Sequence, residues 1–334
     1  MTKESPFGRL LSRLSSGQDD TTGHDNMPKL RMPLGMAVAQ RGVPRATGRR
    51  VALQPGQSFA HFRIEEELGR GAMAAVYRAV DQRDGRTVAL KLLSLGDDWP
   101  EDKLADARLR LLREAEAASR IDHPDIVKVF DAGEVEGLVY LNMEFVEGVN
   151  LATHAGSGRQ LPPRMVCEMC ARVAEALHYA HERGIVHRDV KPANIVFDQT
   201  NRRVRIMDFG VARFVDSQAT RTGIVLGSPS FMAPEQLQGL KVDGRSDQFS
   251  LGVTLFQLLT GSLPFRSDSI AGLMKAILDE PHPPLSSIRP DLPVCVGAIL
   301  DRALAKHPDQ RFGSALEFGV ALRDCGRTIP ATLR

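Results

Sequence analysis

The chain has 334 residues, enough for one large domain or two lobes, and its 43% apolar and 25% charged residues are those of an ordinary globular protein. This composition excludes a small disulfide-stapled scaffold, a collagen-like repeat and a wholly disordered chain. The 43 Lys and Arg residues nearly balance the 41 Asp and Glu residues, so the formal charge of +2 provides no global basic field and argues against a nucleic-acid partner.

The four cysteines stand at positions 167, 170, 295 and 325, too few for a disulfide framework in so long a chain, so we predict a reducing compartment. No apolar run reaches the ~18–20 residues of a membrane span, and the first 14 residues contain Glu4 and no long apolar core, unlike a signal peptide. We therefore expect a cytoplasmic protein without a transmembrane segment. Cys167 and Cys170 lie in a predicted helix with no second pair nearby, which favours core packing over zinc or redox chemistry.

Residues 1–60 differ from the rest of the chain. They hold nine basic and four acidic residues and only two aromatic ones, Phe7 and Phe59, too little apolar surface to offset the cost of ordering a segment. We predict a flexible basic arm. Phe7, Leu10, Leu11 and Leu14 have helical spacing, so a short helix that docks on a partner or an anionic surface is one hypothesis, and a solvated tail is the other.

Alternating apolar residues between turn signals predict a strand-rich lobe that follows the arm and contains one helix, 103–120. Its predicted strands are 62–68, 75–80, 87–93, 126–131 and 138–145. After Gly148 the apolar spacing becomes helical over 163–183, 246–260, 269–279, 294–305 and 314–323. The predicted fold is α+β with two lobes, and the expected units are an arm (1–60), a small lobe (61–147), a large lobe (148–325) and a tail (326–334).

Glycines between the first two predicted strands mark the first candidate site, Gly69-Arg70-Gly71-Ala72-Met73-Ala74. Glycines let the backbone approach phosphate groups and point amides at them, although an ordinary hairpin turn also explains the segment. The segment does not open a helix and lacks a Gly-Lys-Ser/Thr ending, so a dinucleotide-binding loop and a P-loop are excluded.

Lys91 ends the apolar segment Val88-Ala89-Leu90, and a buried ammonium needs an anionic partner. Glu114 on the predicted helix could supply the carboxylate. A surface lysine and a solvated glutamate are each commoner in isolation, so the pair gains weight only from the motifs that follow.

The strongest signal is the polar loop His187-Arg188-Asp189-Val190-Lys191-Pro192-Ala193-Asn194, which lies between apolar segments. Its carboxylate, ammonium and amide suit proton acceptance, neutralisation of a phosphoryl group and metal binding, respectively. Asp208, in Asp208-Phe209-Gly210, offers a second metal-binding carboxylate. Ala233-Pro234-Glu235 closes a Ser-, Thr- and Gly-rich segment that we expect to be mobile and modifiable.

In this order the motifs resemble the protein kinase family, specifically the eukaryotic-like Ser/Thr kinases of bacteria, over about 62–325. The resemblance implies that Lys91 holds the ATP phosphates and pairs with Glu114, that Asp189 is the catalytic base and that Lys191 supports the γ-phosphate. It implies Asn194 and Asp208 as the Mg²⁺ ligands. The nucleotide site that it implies comprises Leu68, Gly69, Arg70, Gly71, Ala72, Val76, Ala89, Lys91, Met143, Glu144, Val146 and Asn150.

The resemblance extends to supporting and regulatory positions. Asp247 is similar to the buried aspartate that braces the catalytic loop, and Arg311 to the partner of Glu235. Arg188 is expected to bind a phosphorylated Thr220 or Thr222. In bacterial kinases that this chain resembles, threonines at this spacing are autophosphorylated.

Two departures from the family pattern concern the phosphate-binding loop and the activation segment. Ala74 stands in place of the usual third glycine, and Ser228 in place of Gly-Thr. Because every catalytic group is present, we expect an ATP- and Mg²⁺-dependent kinase that phosphorylates Ser and Thr in proteins, with Lys191-Pro192 setting the acceptor type. The alternatives are a nucleotide-binding scaffold without transfer activity, given Ala74, and a small-molecule phosphotransferase, which generally lacks the Ala-Pro-Glu segment.

Overall fold

The computed structural model describes residues 52–71, 74–93, 101–209 and 229–333, without the side chains of 101–107 and 110. The first part is strand-rich, with β1 (Ser58–Phe59), β2 (Phe62–Arg70), β3 (Ala74–Asp81), β4 (Thr87–Leu93), α1 (Glu101–Ser119), β5 (Val129–Val135) and β6 (Leu138–Glu144). The second part is mainly helical, with β7 (Val149–Asn150), α2 (Pro163–His181), β8 (Ile195–Asp198), β9 (Arg203–Ile206), α3 (Pro234–Leu237), α4 (Gly244–Thr260), α5 (Ile270–Asp279), α6 (Leu285–Ile288), α7 (Val294–Ala303) and α8 (Ala315–Thr328). The predicted α+β fold with a strand-rich lobe and a helical lobe is confirmed.

The small lobe is built on an antiparallel sheet with the strand order β1-β2-β3-β4-β6-β5. Side chains of a strand alternate between its two faces, so β4 sends Leu90 into one apolar core and Ala89 and Leu93 into another. The second core also contains Leu111 and Leu112 of α1. Lys91 has the same parity as Ala89 and Leu93, so it emerges on the face that α1 covers.

The end of the predicted arm belongs to the small lobe. β1 pairs with β2, Leu53 and Phe59 are buried in the first core, and the Leu53 amide donates to the Tyr77 hydroxyl at 3.2 Å. The predicted boundary at residue 60 is therefore wrong for residues 52–60. The segment looks polar in sequence because it contributes only two apolar anchors, and their burial depends on a sheet face formed by later strands. Residues 1–51, including the proposed docking helix, lie outside the described residues.

β5 begins three residues later than predicted. Ile126 instead forms an isolated parallel bridge to Ile206, and β5 continues through Gly133 to Val135. A Cβ on Gly133 would lie 2.7 Å from the Tyr140 ring of the neighbouring strand, so glycine is needed there for close approach. Glycine weakens strand propensity, which hid this half of the strand in the sequence.

The large lobe is organised around α4, which is buried along nearly its whole length. The Asp243 side chain caps its N-terminus by accepting from the Arg245 amide, and Gly261, with φ 73°, ends it in the left-handed conformation. α2 and α8 pack beside α4. Cys167 and Cys170 on α2 are fully buried, and burial raises the pKa of the Cys167 thiol to about 12, which confirms their assignment to the core.

α8 extends to Thr328, five residues past its predicted end and into the predicted tail. Near its end, Cys325 forms a disulfide with Cys295 of α7, with 6.0 Å between the Cα atoms. The prediction that the cysteines are reduced is therefore wrong for this pair. It rested on their number, whereas pairing depends on the approach of two helices. None of the helices in the described part of the chain is long and apolar enough to cross a membrane.

Candidate active site

The polar loop before β8 brings three predicted catalytic side chains into direct contact. The Lys191 ammonium donates to both oxygens of Asp189, at 2.9 and 2.7 Å. The Asn194 amide nitrogen donates to the Asp189 carboxylate and to its main-chain carbonyl, each at 2.8 Å. The Asp189 carboxylate is about one-third exposed, so it is held in place and still accessible from solvent.

Asp247, at the start of α4, fixes the main chain of this loop through hydrogen bonds. Its carboxylate accepts from the main-chain amides of His187 and Arg188, at 2.8 and 2.7 Å. His181 of α2 contacts the same carboxylate at 2.7 Å. Burial acts to raise the pKa of Asp247, but the His181 hydrogen bond and the other donors outweigh it and keep the pKa low. The predicted brace is confirmed, whereas the contact with His181, which lies 66 residues away, was not predicted.

His187 connects the loop to Asp208. The Asp189 amide donates to its Nδ1 at 3.2 Å, so its Nε2 carries the proton donated to the Met207 carbonyl at 2.9 Å. The Met207 amide donates in turn to the Asn194 carbonyl at 2.9 Å. Asp208 therefore follows a residue that is hydrogen bonded twice to the catalytic loop.

Lys91 and Asp208 form an ion pair across the two lobes, with 2.8 Å between Nζ and Oδ1. Within the described residues, Lys91 pairs with Asp208 and forms no ion pair with Glu114. The structure therefore differs here from the pair that the family resemblance implies. The two side chains are only 11% and 16% exposed, and each charge offsets the cost of burying the other. Burial acts to raise the pKa of Asp208, but the nearby Lys91 ammonium lowers this pKa by more than burial raises it, so the carboxylate is ionised.

Arg188 and Asp208 both have left-handed backbones, with φ 68°. This conformation is unfavourable for residues other than glycine and persists only where surrounding contacts enforce it. For Arg188 the enforcing contacts include its amide bond to Asp247 and the bond from the Gln236 side chain to its carbonyl at 3.1 Å. Two of the five residues other than glycine that have a positive φ in the described part of the chain thus belong to the candidate site.

An apolar cluster lies next to these charges, on the face of the small-lobe sheet that carries Lys91. Ala89 pairs directly with Met143 in the sheet, and Val76 pairs with Lys91. Val76 and Val146 pack on the same apolar core as Ala89 and Met143. Four of the predicted nucleotide-site residues therefore belong to one apolar cluster, and one of them pairs directly with Lys91 in the sheet.

Glu144, between the lobes, directs its side chain to the large lobe, where Arg205 of β9 donates to its Oε2 at 2.8 Å. The family resemblance implied Glu144 as a nucleotide-site residue, whereas Arg205 was not among the predicted site residues. The only signal was an arginine in the alternating strand that precedes Asp208. Asn150, in β7, is exposed.

The glycine-rich segment forms the end of β2 and the turn towards β3. The Gly71 amide donates to the Ala74 carbonyl at 2.8 Å, and neither Gly69 nor Gly71 has a crowded Cβ position. The Arg70 side chain turns towards Glu67 and the Tyr77 hydroxyl, at 2.9 Å each. Leu68 is 45% exposed. Ala72, Thr220, Thr222 and Ser228 lie outside the described residues, so the predictions made on them remain predictions.

Glu235 and Arg311 form a buried bidentate pair, with oxygen–nitrogen distances of 2.7 and 2.9 Å. Ser246 donates to the same carboxylate at 2.5 Å. Burial acts to raise the pKa of Glu235, but these donors keep it low. The predicted pair is confirmed, and it anchors the Ala-Pro-Glu segment to the large lobe.

Comparison with known proteins places these features in a family. The family model "Protein kinase domain" matches residues 62–317. The chain is 40% identical over 289 residues to the probable serine/threonine-protein kinase SCO3848 of Streptomyces coelicolor, covering 84% of this chain and 42% of that protein. It is 41% identical over 281 residues to the serine/threonine-protein kinase PknF of Mycobacterium tuberculosis, covering 81% of this chain and 57% of PknF. The chain thus spans about half the length of these relatives.

Among solved structures, a crystal structure of Rad53 1-466 in complex with AMP-PNP matches with a TM-score of 0.64 at 27% identity. The match covers 78% of this chain and 64% of the Rad53 chain. The family model covers well over half of the chain and includes the loop of Asp189, Lys191 and Asn194, the Lys91–Asp208 pair and the Glu235–Arg311 pair. The chain therefore belongs to the protein kinase family.

Proposed function

We propose that the chain is a protein serine/threonine kinase that transfers the γ-phosphoryl group of ATP to serine and threonine hydroxyls of protein substrates. The observation that carries this proposal is that the Asp189–Lys191–Asn194 cluster and the Lys91–Asp208 pair both lie in the candidate site, with the apolar cluster of Ala89 and Met143 beside Lys91. Apolar side chains beside two fixed ammonium groups suit a ligand that joins a flat ring to several phosphates.

In the proposed reaction Asp189 accepts the proton of the substrate hydroxyl, whose oxygen attacks the γ-phosphorus. The bond from that phosphorus to the β-bridging oxygen breaks, and ADP leaves. Lys191 contacts Asp189 and Lys91 lies beside Asp208, so both ammonium groups are held where negative charge develops. Positioning and charge stabilisation account for most of catalysis in this reaction class.

The residues present fit a magnesium ion. Asp208 supplies an ionised carboxylate and Asn194 an amide oxygen, and hard cations of this size prefer oxygen ligands. These two residues would hold Mg²⁺, which would neutralise part of the triphosphate charge when bound.

The acceptor class follows from two observations. Lys191 contacts the base, as the family resemblance implies for kinases that act on an aliphatic hydroxyl, and the relatives named above are serine/threonine kinases. Autophosphorylation of Thr220 or Thr222, and its recognition by Arg188, belong to the same proposal.

Transfer of ³²P from ATP to a mixed Ser/Thr peptide library tests the proposal with Asp189→Asn. We expect the variant to lose about 10²–10⁴-fold in rate, because the amide cannot accept the hydroxyl proton. Asp324→Asn, an exposed aspartate of α8, is the matched control and should retain full activity. Peptide mapping of 217–230 in wild type and Asp189→Asn gives a second readout at Thr220 and Thr222. Equal incorporation by wild type and Asp189→Asn would contradict the proposal.

A further inference from the structure

Three side chains form a hydrogen-bonded cluster at the end of β2, and we call Glu67, Arg70 and Tyr77 the Arg70 clamp. The Arg70 guanidinium donates to the two Glu67 oxygens, at 2.9 and 2.5 Å, and to the Tyr77 hydroxyl at 2.9 Å. Arg70 itself lies between Gly69 and Gly71 of the glycine-rich segment. Contacts of one side chain therefore hold the main chain of that segment in place.

The Arg70 clamp lies on the face of the sheet that points away from the candidate nucleotide site. Tyr77 is fully buried in one apolar core, whereas its neighbour Val76 packs on the other core with Ala89 and pairs directly with Lys91. Adjacent side chains of a strand point to opposite faces. The Arg70 side chain bonds to Tyr77, so it acts on the candidate site through the main chain of the glycine-rich segment.

The main chain at this point has few other supports. A Cβ on Gly69 would contact nothing in the described part of the chain within 4 Å, so no packing holds this residue. The pairing of β2 with β3 also shifts register between Glu67 and Gly69. Since a register shift disrupts the regular ladder of hydrogen bonds, the Arg70 side chain supplies a constraint that the sheet itself lacks there.

Tyr77 is the fixed point of the clamp. The Glu67 and Arg70 side chains are 37% and 28% exposed, and a partly exposed ion pair contributes little by itself. The Tyr77 ring is packed in the core, and its hydroxyl also accepts from the Leu53 amide at 3.2 Å. A hydroxyl oxygen has two acceptor lone pairs, and these two donors occupy both. The clamp therefore connects the glycine-rich segment to the segment that precedes the sheet.

We propose that Arg70 is a positioning residue for ATP, because the Arg70 clamp holds the Gly69–Gly71 main chain where it meets the phosphate groups. The inference rests on the proposed kinase activity and adds to it a set of side chains on the opposite face of the sheet. Arg70 does not contact Asp189 or Lys191, so the clamp acts on nucleotide affinity and leaves the transfer step to those residues.

Steady-state kinetics and calorimetric binding test the clamp with Arg70→Met, Tyr77→Phe and the double variant. We expect each single change to raise the KM for ATP and the Kd for a non-hydrolysable ATP analogue by roughly 3–10-fold, the effect of one lost hydrogen bond. The kcat should stay within about twofold of wild type. The Kd for adenosine, which has no phosphates, should not change. The double variant should bind no more weakly than the weaker single variant, because both changes break the same link.

Tyr140→Phe is the matched control. Tyr140 lies in the same apolar core as Tyr77 but on β6, so the variant loses a hydroxyl away from the glycine-rich segment and should bind both ligands as wild type does. Arg70 is partly exposed, so Arg70→Met tests the clamp even if Tyr77→Phe is unstable.

Three outcomes would overturn the inference. If Arg70→Met binds the ATP analogue as tightly as wild type does, the clamp does not position the nucleotide, and the kinase activity stands. If Arg70→Met weakens binding while a folded Tyr77→Phe does not, Arg70 acts by direct contact with phosphate rather than through the clamp. If wild type neither binds the analogue nor transfers phosphate, the proposed function fails and the inference fails with it.

Discussion

Arg311 uses all five of its N–H groups. Two donate to the Glu235 carboxylate, and the others donate to the carbonyls of Ala305, Lys306 and Arg245 at 2.8–3.1 Å. The side chain is fully buried. A buried guanidinium is tolerated only when its donors are satisfied, and its removal leaves a carboxylate and three carbonyls without their partner. One residue therefore holds together the Ala-Pro-Glu segment, the start of α4 and the loop after α7.

Arg311→Met is expected to lower the free energy of unfolding by about 3–5 kcal/mol, because it leaves the Glu235 charge buried and unpaired. Arg327→Met is the matched control, since the Arg327–Asp324 pair is about two-thirds exposed and is expected to contribute under ~1 kcal/mol. Urea unfolding monitored by fluorescence and circular dichroism gives the comparison. Similar losses for the two variants would show that the buried pair is not a structural anchor.

The end of α5 is stabilised by a side chain from another element. The Lys306 ammonium donates to the carbonyls of Ala276 and Ile277, at 3.1 and 2.7 Å, in the last turn of the helix, and the Ala276 carbonyl also accepts from the Glu280 amide. It also lies 3.9 Å from the centre of the Phe265 ring. Burial lowers the pKa of Lys306 to about 8, and Asp279 and Glu280 oppose this effect only in part.

The lowered pKa of Lys306 predicts how stability depends on pH. Below pH 8 the lysine is protonated in the folded and unfolded states, and the folded state carries the cost of burying the charge. Between about pH 8 and 10 the unfolded state retains more protons, so stability rises with pH. Relative to Lys306→Met, wild type should gain on the order of 1–2 kcal/mol over this range, after allowance for solvent screening. Urea unfolding of both proteins at pH 7, 8, 9 and 10 checks this, and parallel pH profiles would contradict it.

At the scale of the whole molecule, distant parts of the chain close each lobe. Leu53 and Phe59 cover the sheet of the small lobe from the segment before it, and the Cys295–Cys325 disulfide ties α7 to α8 in the large lobe. Glu144 and Arg205 connect the two lobes. Each contact joins segments that have no local reason to associate, so it forms only when the surrounding lobe is folded.

Phe59→Ala should lower the unfolding free energy of the small lobe by roughly 2–4 kcal/mol, because it empties a buried site next to Phe62 and Tyr140. Phe7→Ala is the matched control, as the sequence predicts Phe7 to lie in a flexible arm, and it should change the melting temperature little. Thermal unfolding of the full chain measures both variants. If Phe59→Ala were as stable as Phe7→Ala, residues 52–60 would not contribute to the stability of the small lobe.

Local patterns were sufficient to predict the elements and motifs. The alternation of Thr87–Leu93 predicted β4 at the bounds that the structure shows, and helical spacing predicted α2, α4 and α5 to within about two residues. The side-chain types in one loop were also sufficient to predict that Asp189, Lys191 and Asn194 act together, because all three lie within one segment of six residues.

The sequence by itself determined the two-lobed α+β fold, the order of the motifs and the groups that can perform phosphoryl transfer, because each depends on residue type and short spacing. Only the tertiary structure decided that Lys91 pairs with Asp208, that Cys295 meets Cys325 and that residues 52–60 cover the small lobe. The physical reason is that these contacts join residues far apart in the chain. Burial and charge choose among several possible partners only after the lobes have brought those partners within a few ångströms.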